Sequence, residues 1–178
     1  MVPVPMFDGV RPYQQVPFQY SLHVQEKEGE ELKHFEYLGT AGDDPRRELI
    51  EKLLNDIPKN SCVLAYNMSF EIGILNDLKE WFPEYEEKID NIIANMRDLM
   101  VPFRSKAIYQ WQMEGSYSLK KVLPALVPEL SYEDMDVSDG AMASDTWLKM
   151  IPMKNLTVIK ASRKALLEYC CLDTFAMV

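Results

Sequence analysis

The segment Ser61-Cys62-Val63-Leu64-Ala65-Tyr66-Asn67-Met68-Ser69-Phe70-Glu71 decides the fold. Its first half, Cys62 to Tyr66, is a short apolar run bounded by polar residues, which predicts a buried strand. Its second half opens a helix expected over about Ser69 to Trp81, with Phe70, Ile74, Leu75, Leu78 and Trp81 facing inward. A buried strand that runs straight into a helix is the repeating unit of α/β proteins.

Upstream, Val16 to Val24 alternates strictly. Val16, Phe18, Tyr20, Leu22 and Val24 share one face, and Pro17, Gln19, Ser21 and His23 share the other. Period two predicts a strand with one apolar face. Lys33 to Leu38 is its expected hairpin partner. Asp44-Pro45 then opens a helix as N-cap and first residue, with Leu49, Ile50, Leu53, Leu54 and Ile57 as its buried stripe and Pro58 as its stop. Downstream, a helix is expected over about Glu84 to Ala94 and a short strand over Arg97 to Met100. Val101 to Tyr117 reads as irregular, Ser118 to Leu126 as a short helix, and Gly140 to Met150 as a helix capped by Ser138-Asp139. A last helix starts near Thr157. The pattern predicts one α/β domain over residues 1–178, a mixed β-sheet flanked by helices.

Composition narrows the function. A net charge of -9 over 178 residues argues against a broad basic surface that wraps duplex DNA. It leaves room for a cleft in which divalent cations offset carboxylates. No apolar run reaches the roughly 18 to 20 residues of a membrane span. Met1-Val2-Pro3-Val4-Pro5 lacks the basic and apolar regions of a signal peptide, so a cytoplasmic protein without membrane contact is expected. Cys62, Cys170 and Cys171 form no C-x-x-C or Cys/His pair in sequence and read as small buried hydrophobes.

Two places suit chemistry. Glu71 falls in the first turn of a helix at the carboxyl end of a strand, where open α/β sheets place ligands. The plainer account is a solvated glutamate favoured by the helix dipole. Tyr169 and Asp173 are four residues apart on the last helix, so a phenol and a carboxylate share a face; a surface pair is again the plainer account. Jointly they suggest a cleft, because clustered carboxylates repel unless cations lie between them. Oxygen donors favour Mg²⁺ or Mn²⁺, and two such ions about 4 Å apart can activate water and stabilise the leaving oxygen of a phosphodiester.

At these residues the chain resembles the DnaQ-like, RNase H-fold 3′–5′ exonucleases. Asn67-x-x-Phe70-Glu71 is similar to their second motif, with glutamate for the usual aspartate, and Tyr169-x-x-x-Asp173 to their third motif in its tyrosine form. The resemblance implies metal-dependent hydrolysis of a DNA or RNA 3′ end, single-stranded by preference. It implies Glu71 and Asp173 as metal ligands and Tyr169 as the group that positions the attacking water. Asp98, in Arg97-Asp98-Leu99-Met100, is a further metal candidate, and Asn67 and Lys120 are substrate-binding candidates. A closer resemblance, over nearly the whole chain, is to a bacterial domain family of unknown function within that superfamily. It rests on the segment from Arg11 to His23, on Gly115 to Pro124, and on the glutamate of the second motif.

One departure bears on activity. The first motif of the exonucleases, a central strand containing Asp-x-Glu, should lie just before Pro3, so two of four expected acids are absent. With its last residue five beyond Asp173, the chain reads as a domain truncated at both ends and inactive alone. A missing central strand should leave exposed edges, which favour homo-oligomers by strand exchange. The alternative is a non-catalytic nucleic-acid- or protein-binding module that keeps the fold. Weaker signals read as structural: His23, Lys121, the aromatics Tyr109, Trp111, Tyr117 and Tyr132, and the acidic run Asp134, Asp136, Asp139 and Asp145.

Overall fold

Strand β1, Gln19–Val24, pairs antiparallel with β2, Lys33–Leu38, in a register from Gln19↔Leu38 to Val24↔Lys33. The structure is a computed structural model and describes residues 5–133 and 135–178. The start of the expected N-terminal loop (residues 1–4) and Asp134 lie outside the described residues. Strand β1 begins three residues later than the alternation suggests. Pro17, without an N–H, cannot join the ladder. Helix α1 spans Arg46–Asp56. It starts one residue later than predicted, and Asp44, rather than capping from its expected place, accepts from Arg46 N at 3.1 Å and Arg46 Nη2 at 2.7 Å.

The second pair of strands is parallel. Strands β3, Val63–Ala65, and β4, Met96–Asp98, align as Val63↔Met96 through Ala65↔Asp98. Parallel neighbours need a crossover, supplied here by α2, Met68–Trp81, a 3-10 turn at Pro83–Tyr85, and α3, Glu86–Ala94. The class is therefore α/β, with antiparallel and parallel pairing both present. The strands form two separate two-stranded sheets among the described residues, where one continuous sheet was expected.

Two inward-facing predictions fail here for one reason. Leu64 is 45% exposed and Phe70 51% exposed. Helices α2 and α3 cover the face of the parallel pair that carries Ala65 and Met96. Side chains alternate along a strand, so Leu64 points the other way. On α2 the buried stripe is Leu75 and Leu78, one turn beyond Glu71, which places the acid and not Phe70 on the inward line.

The C-terminal half holds α4, Val101–Arg104, a 3-10 turn at Trp111–Met113, α5, Leu119–Leu126, α6, Gly140–Met150, and α7, Leu156–Phe175. Asp139 caps α6 as predicted, accepting from Met142 N at 2.7 Å. Asn155 caps α7 through Thr157 N. The hairpin is packed on both sides. Tyr37 belongs to a core with α1, α2 and α3, whereas Leu38, next in the chain, belongs to one with α5, α6 and α7. The prediction of one apolar and one open face is thus corrected, because α7 covers the polar face of β1.

Candidate functional site

The turn from β3 into α2 places the first acid. Asn67 sits in the left-handed region at φ 73, ψ 57, a conformation that asparagine tolerates better than most residues. Its N–H donates to Asp98 Oδ1 at 3.0 Å, and the same oxygen accepts from Met100 N at 2.9 Å. Asp98, at the end of β4, thus fastens the β3–α2 turn to the neighbouring strand. The side chain of Asn67 is engaged locally, its Oδ1 accepting from the Ser69 hydroxyl at 2.9 Å.

One turn into α2, the carboxyl of Glu71 is largely enclosed, and its Oε2 is buried without a hydrogen-bond partner. Burial pushes its pKa up to about 7; its own backbone N–H opposes the rise, and the charges of Asp98 and Asp173 add to it. The charges of Asp98 on β4 and Asp173 on α7 thus both act on the Glu71 carboxyl. The solvated-glutamate account of Glu71 does not hold.

Helix α7 supplies the rest. Asp173 Oδ1 accepts from Tyr132 Oη at 2.7 Å, and Tyr169, one turn earlier on α7, also acts on this carboxylate. Burial raises the pKa of Asp173, while both phenols and Lys120 oppose that rise. Tyr169 is 8% exposed, and burial, then the Asp173 charge, drives its pKa far above the phenol range. Lys120, exposed at the start of α5, reaches this site as a charge.

Tyr132 is the residue that sequence reasoning missed. It stands in a loop 41 positions before Asp173, and no spacing rule links the two. By contrast, Tyr109, Trp111 and Tyr117 remain exposed. His23 goes to Thr174, with Nδ1 at 2.9 Å from its hydroxyl, and not to the carboxylates.

Carboxylates and phenols form an all-oxygen donor set of the kind that Mg²⁺ and Mn²⁺ prefer. A buried carboxylate oxygen with nothing to accept from is the acceptor that such a cation would satisfy. Among the described residues, the three acids do not form a compact group of metal-ligand atoms.

Comparison with known proteins adds a family. Over 93 residues the chain is 34% identical to the uncharacterized protein UU173 of Ureaplasma parvum serovar 3, an alignment covering 43% of this chain and 14% of that protein. No solved structure matches. A family model matches residues 1–118, a stretch containing Asn67, Glu71 and Asp98 but ending before α5 and α7. The chain belongs to the family described as Domain of unknown function (DUF2779).

Proposed function

We propose that this domain is a divalent-metal-dependent nuclease module of the DnaQ-like, RNase H-fold type, acting on the 3′ end of DNA or RNA. The observation that supports the reading is the buried Glu71 carboxyl, one oxygen of which has no hydrogen-bond partner and which feels the charges of Asp98 and Asp173. Glu71 and Asp173 would hold Mg²⁺ or Mn²⁺ directly, with Asp98 beside them. When bound, such a cation supplies an activated water and charge stabilisation at the phosphodiester.

The chain's own groups act around that chemistry. Tyr132 donates to Asp173 and holds its carboxylate in place. A phenol that donates its proton keeps lone pairs on oxygen, so Tyr169 can accept from a water and orient it. Lys120 offsets part of the negative charge that a nucleic-acid phosphate would meet. The two further acids implied by the exonuclease resemblance would come from an additional strand. The outer edges of β1 and β3 bond to no strand among the described residues. The same open edges are what copies of the chain would exchange in a homo-oligomer.

The test uses this chain and a form extended at its N-terminus, each with Mn²⁺ and a 5′-labelled single-stranded oligonucleotide. Shortening from the 3′ end by the extended form, abolished in Asp173→Asn and Glu71→Gln with folding intact, is the expected result. If neither form binds Mn²⁺ or trims the strand, the nuclease reading fails and a non-catalytic binding module replaces it.

A further inference from the structure

The polar face of the hairpin is closed over by a helix. Ser21 and His23 on β1 and His34 and Glu36 on β2 lie on one face, paired as Ser21↔Glu36 and His23↔His34. Helix α7 crosses that face and brings Cys171, Thr174 and Phe175 to it. The two imidazoles stack with centroids 4.5 Å apart. A ring nitrogen of each histidine and Cys171 Sγ all lie within 4.8 Å of one another.

Hydroxyl groups hold both rings. Thr174 Oγ1 donates to the carbonyls of Cys170 and Cys171 at 3.3 and 3.2 Å. Carbonyls only accept, so the threonine oxygen is left to accept from His23 Nδ1 at 2.9 Å and from Ser21 Oγ at 2.7 Å. With its proton so directed, Ser21 Oγ accepts from His34 Nε2 at 2.9 Å. Each ring thus donates through one nitrogen and keeps a lone pair on the other. Outer hydrogen bonds of this kind orient histidine ligands at metal centres.

We propose that His23, His34 and Cys171 form a zinc site, separate from the carboxylate site and independent of the nuclease reading. Two imidazoles and a thiolate suit a borderline ion such as Zn²⁺, not the hard cations that oxygen donors take. Three protein ligands leave a fourth position. A water would fill it. Entry is open, because His34, Glu36 and Cys171 line a cleft of about 640 Å³. Zinc–ligand bonds of about 2.0–2.3 Å bring ligand atoms to roughly 3.3–3.8 Å apart. Small side-chain shifts at the exposed His34 and at Cys171 would provide that closure. A bound ion would clamp α7, and with it Asp173, to the hairpin.

Co²⁺, a spectroscopic substitute for Zn²⁺, tests this on the metal-free full chain. The expected result is one equivalent bound, with tetrahedral d–d bands, a thiolate-to-cobalt charge-transfer band, and displacement by Zn²⁺. Cys171→Ser should abolish the charge-transfer band. His34→Ala, at an exposed side chain whose loss leaves the fold intact, should weaken binding by more than the roughly 10–100-fold that loss of an outer partner causes. Cys170→Ala and Asp173→Asn should keep both the band and the affinity, which separates this site from the carboxylates. Absence of the band from the wild-type chain, or its survival in Cys171→Ser, overturns the proposal.

Discussion

Glu71 concentrates the cost of the carboxylate site in a single residue. Its carboxyl ionises near pH 7 in the fold and near 4.3 in an unfolded chain. The native state therefore binds more protons between those values, and stability falls as pH rises through that window. With screening allowed for, the loss is on the order of 1–3 kcal/mol. Glu71→Gln should flatten most of this slope and stabilise the protein at pH 8, as read by urea denaturation at pH 5 and pH 8. Asp173, also raised, keeps a smaller slope of the same sign. Where Mn²⁺ binds, Glu71 gives up its proton, so calorimetry in buffers of different ionisation enthalpy should record proton release near pH 6.5, abolished in Glu71→Gln.

Asn67 carries the neighbouring constraint. Its left-handed backbone holds the N–H on Asp98. Asn67→Gly should leave thermal stability nearly unchanged, whereas Asn67→Val should lower it by about 1–2 kcal/mol through strain alone.

Among the elements, α6 and α7 owe their starts to side chains legible in sequence. Asp139 accepts the Met142 N–H, and this bond also lowers its pKa. Asp139→Ala should lower stability, measured by chemical denaturation at pH 7. A carboxyl with a lowered pKa contributes above its unfolded value and loses that contribution as pH falls. The difference between wild type and Asp139→Ala should therefore shrink below about pH 4. Helix α2 teaches a different lesson. Its stripe of Leu75 and Leu78 extends back to Glu71 and not to Phe70. An acid on the inward line of an amphipathic helix is a signal that the sequence held and that apolar counting passed over.

For the whole molecule, the two cores meet back to back through Tyr37 and Leu38 on β2. Leu166, fully buried on α7, anchors the C-terminal core. Leu166→Ala should cost about 2–5 kcal/mol in denaturant unfolding. Because α7 carries Tyr169 and Asp173, the same substitution should, if the proposed metal site exists, weaken Mn²⁺ binding without touching a proposed ligand. Among the described residues the outer edges of β1 and β3 bond to no strand, so on the proposed reading a form extended at its N-terminus should show a higher thermal midpoint as the added strand pairs with them.

The local elements were legible because their causes are local. Strict alternation marked β1, its hairpin partner followed as β2, Asp139 marked the start of α6, and i, i+4 spacing put Tyr169 and Asp173 on one face of α7. Membership of the α/β class followed from the order of those elements. Only the folded chain decided which faces met. It turned Leu64 and Phe70 outward, carried Tyr132 across 41 residues to Asp173, and laid α7 over Ser21, His23 and His34. Those outcomes depend on how helices seat on sheets, a choice set by summed burial across the molecule that no short window of sequence contains.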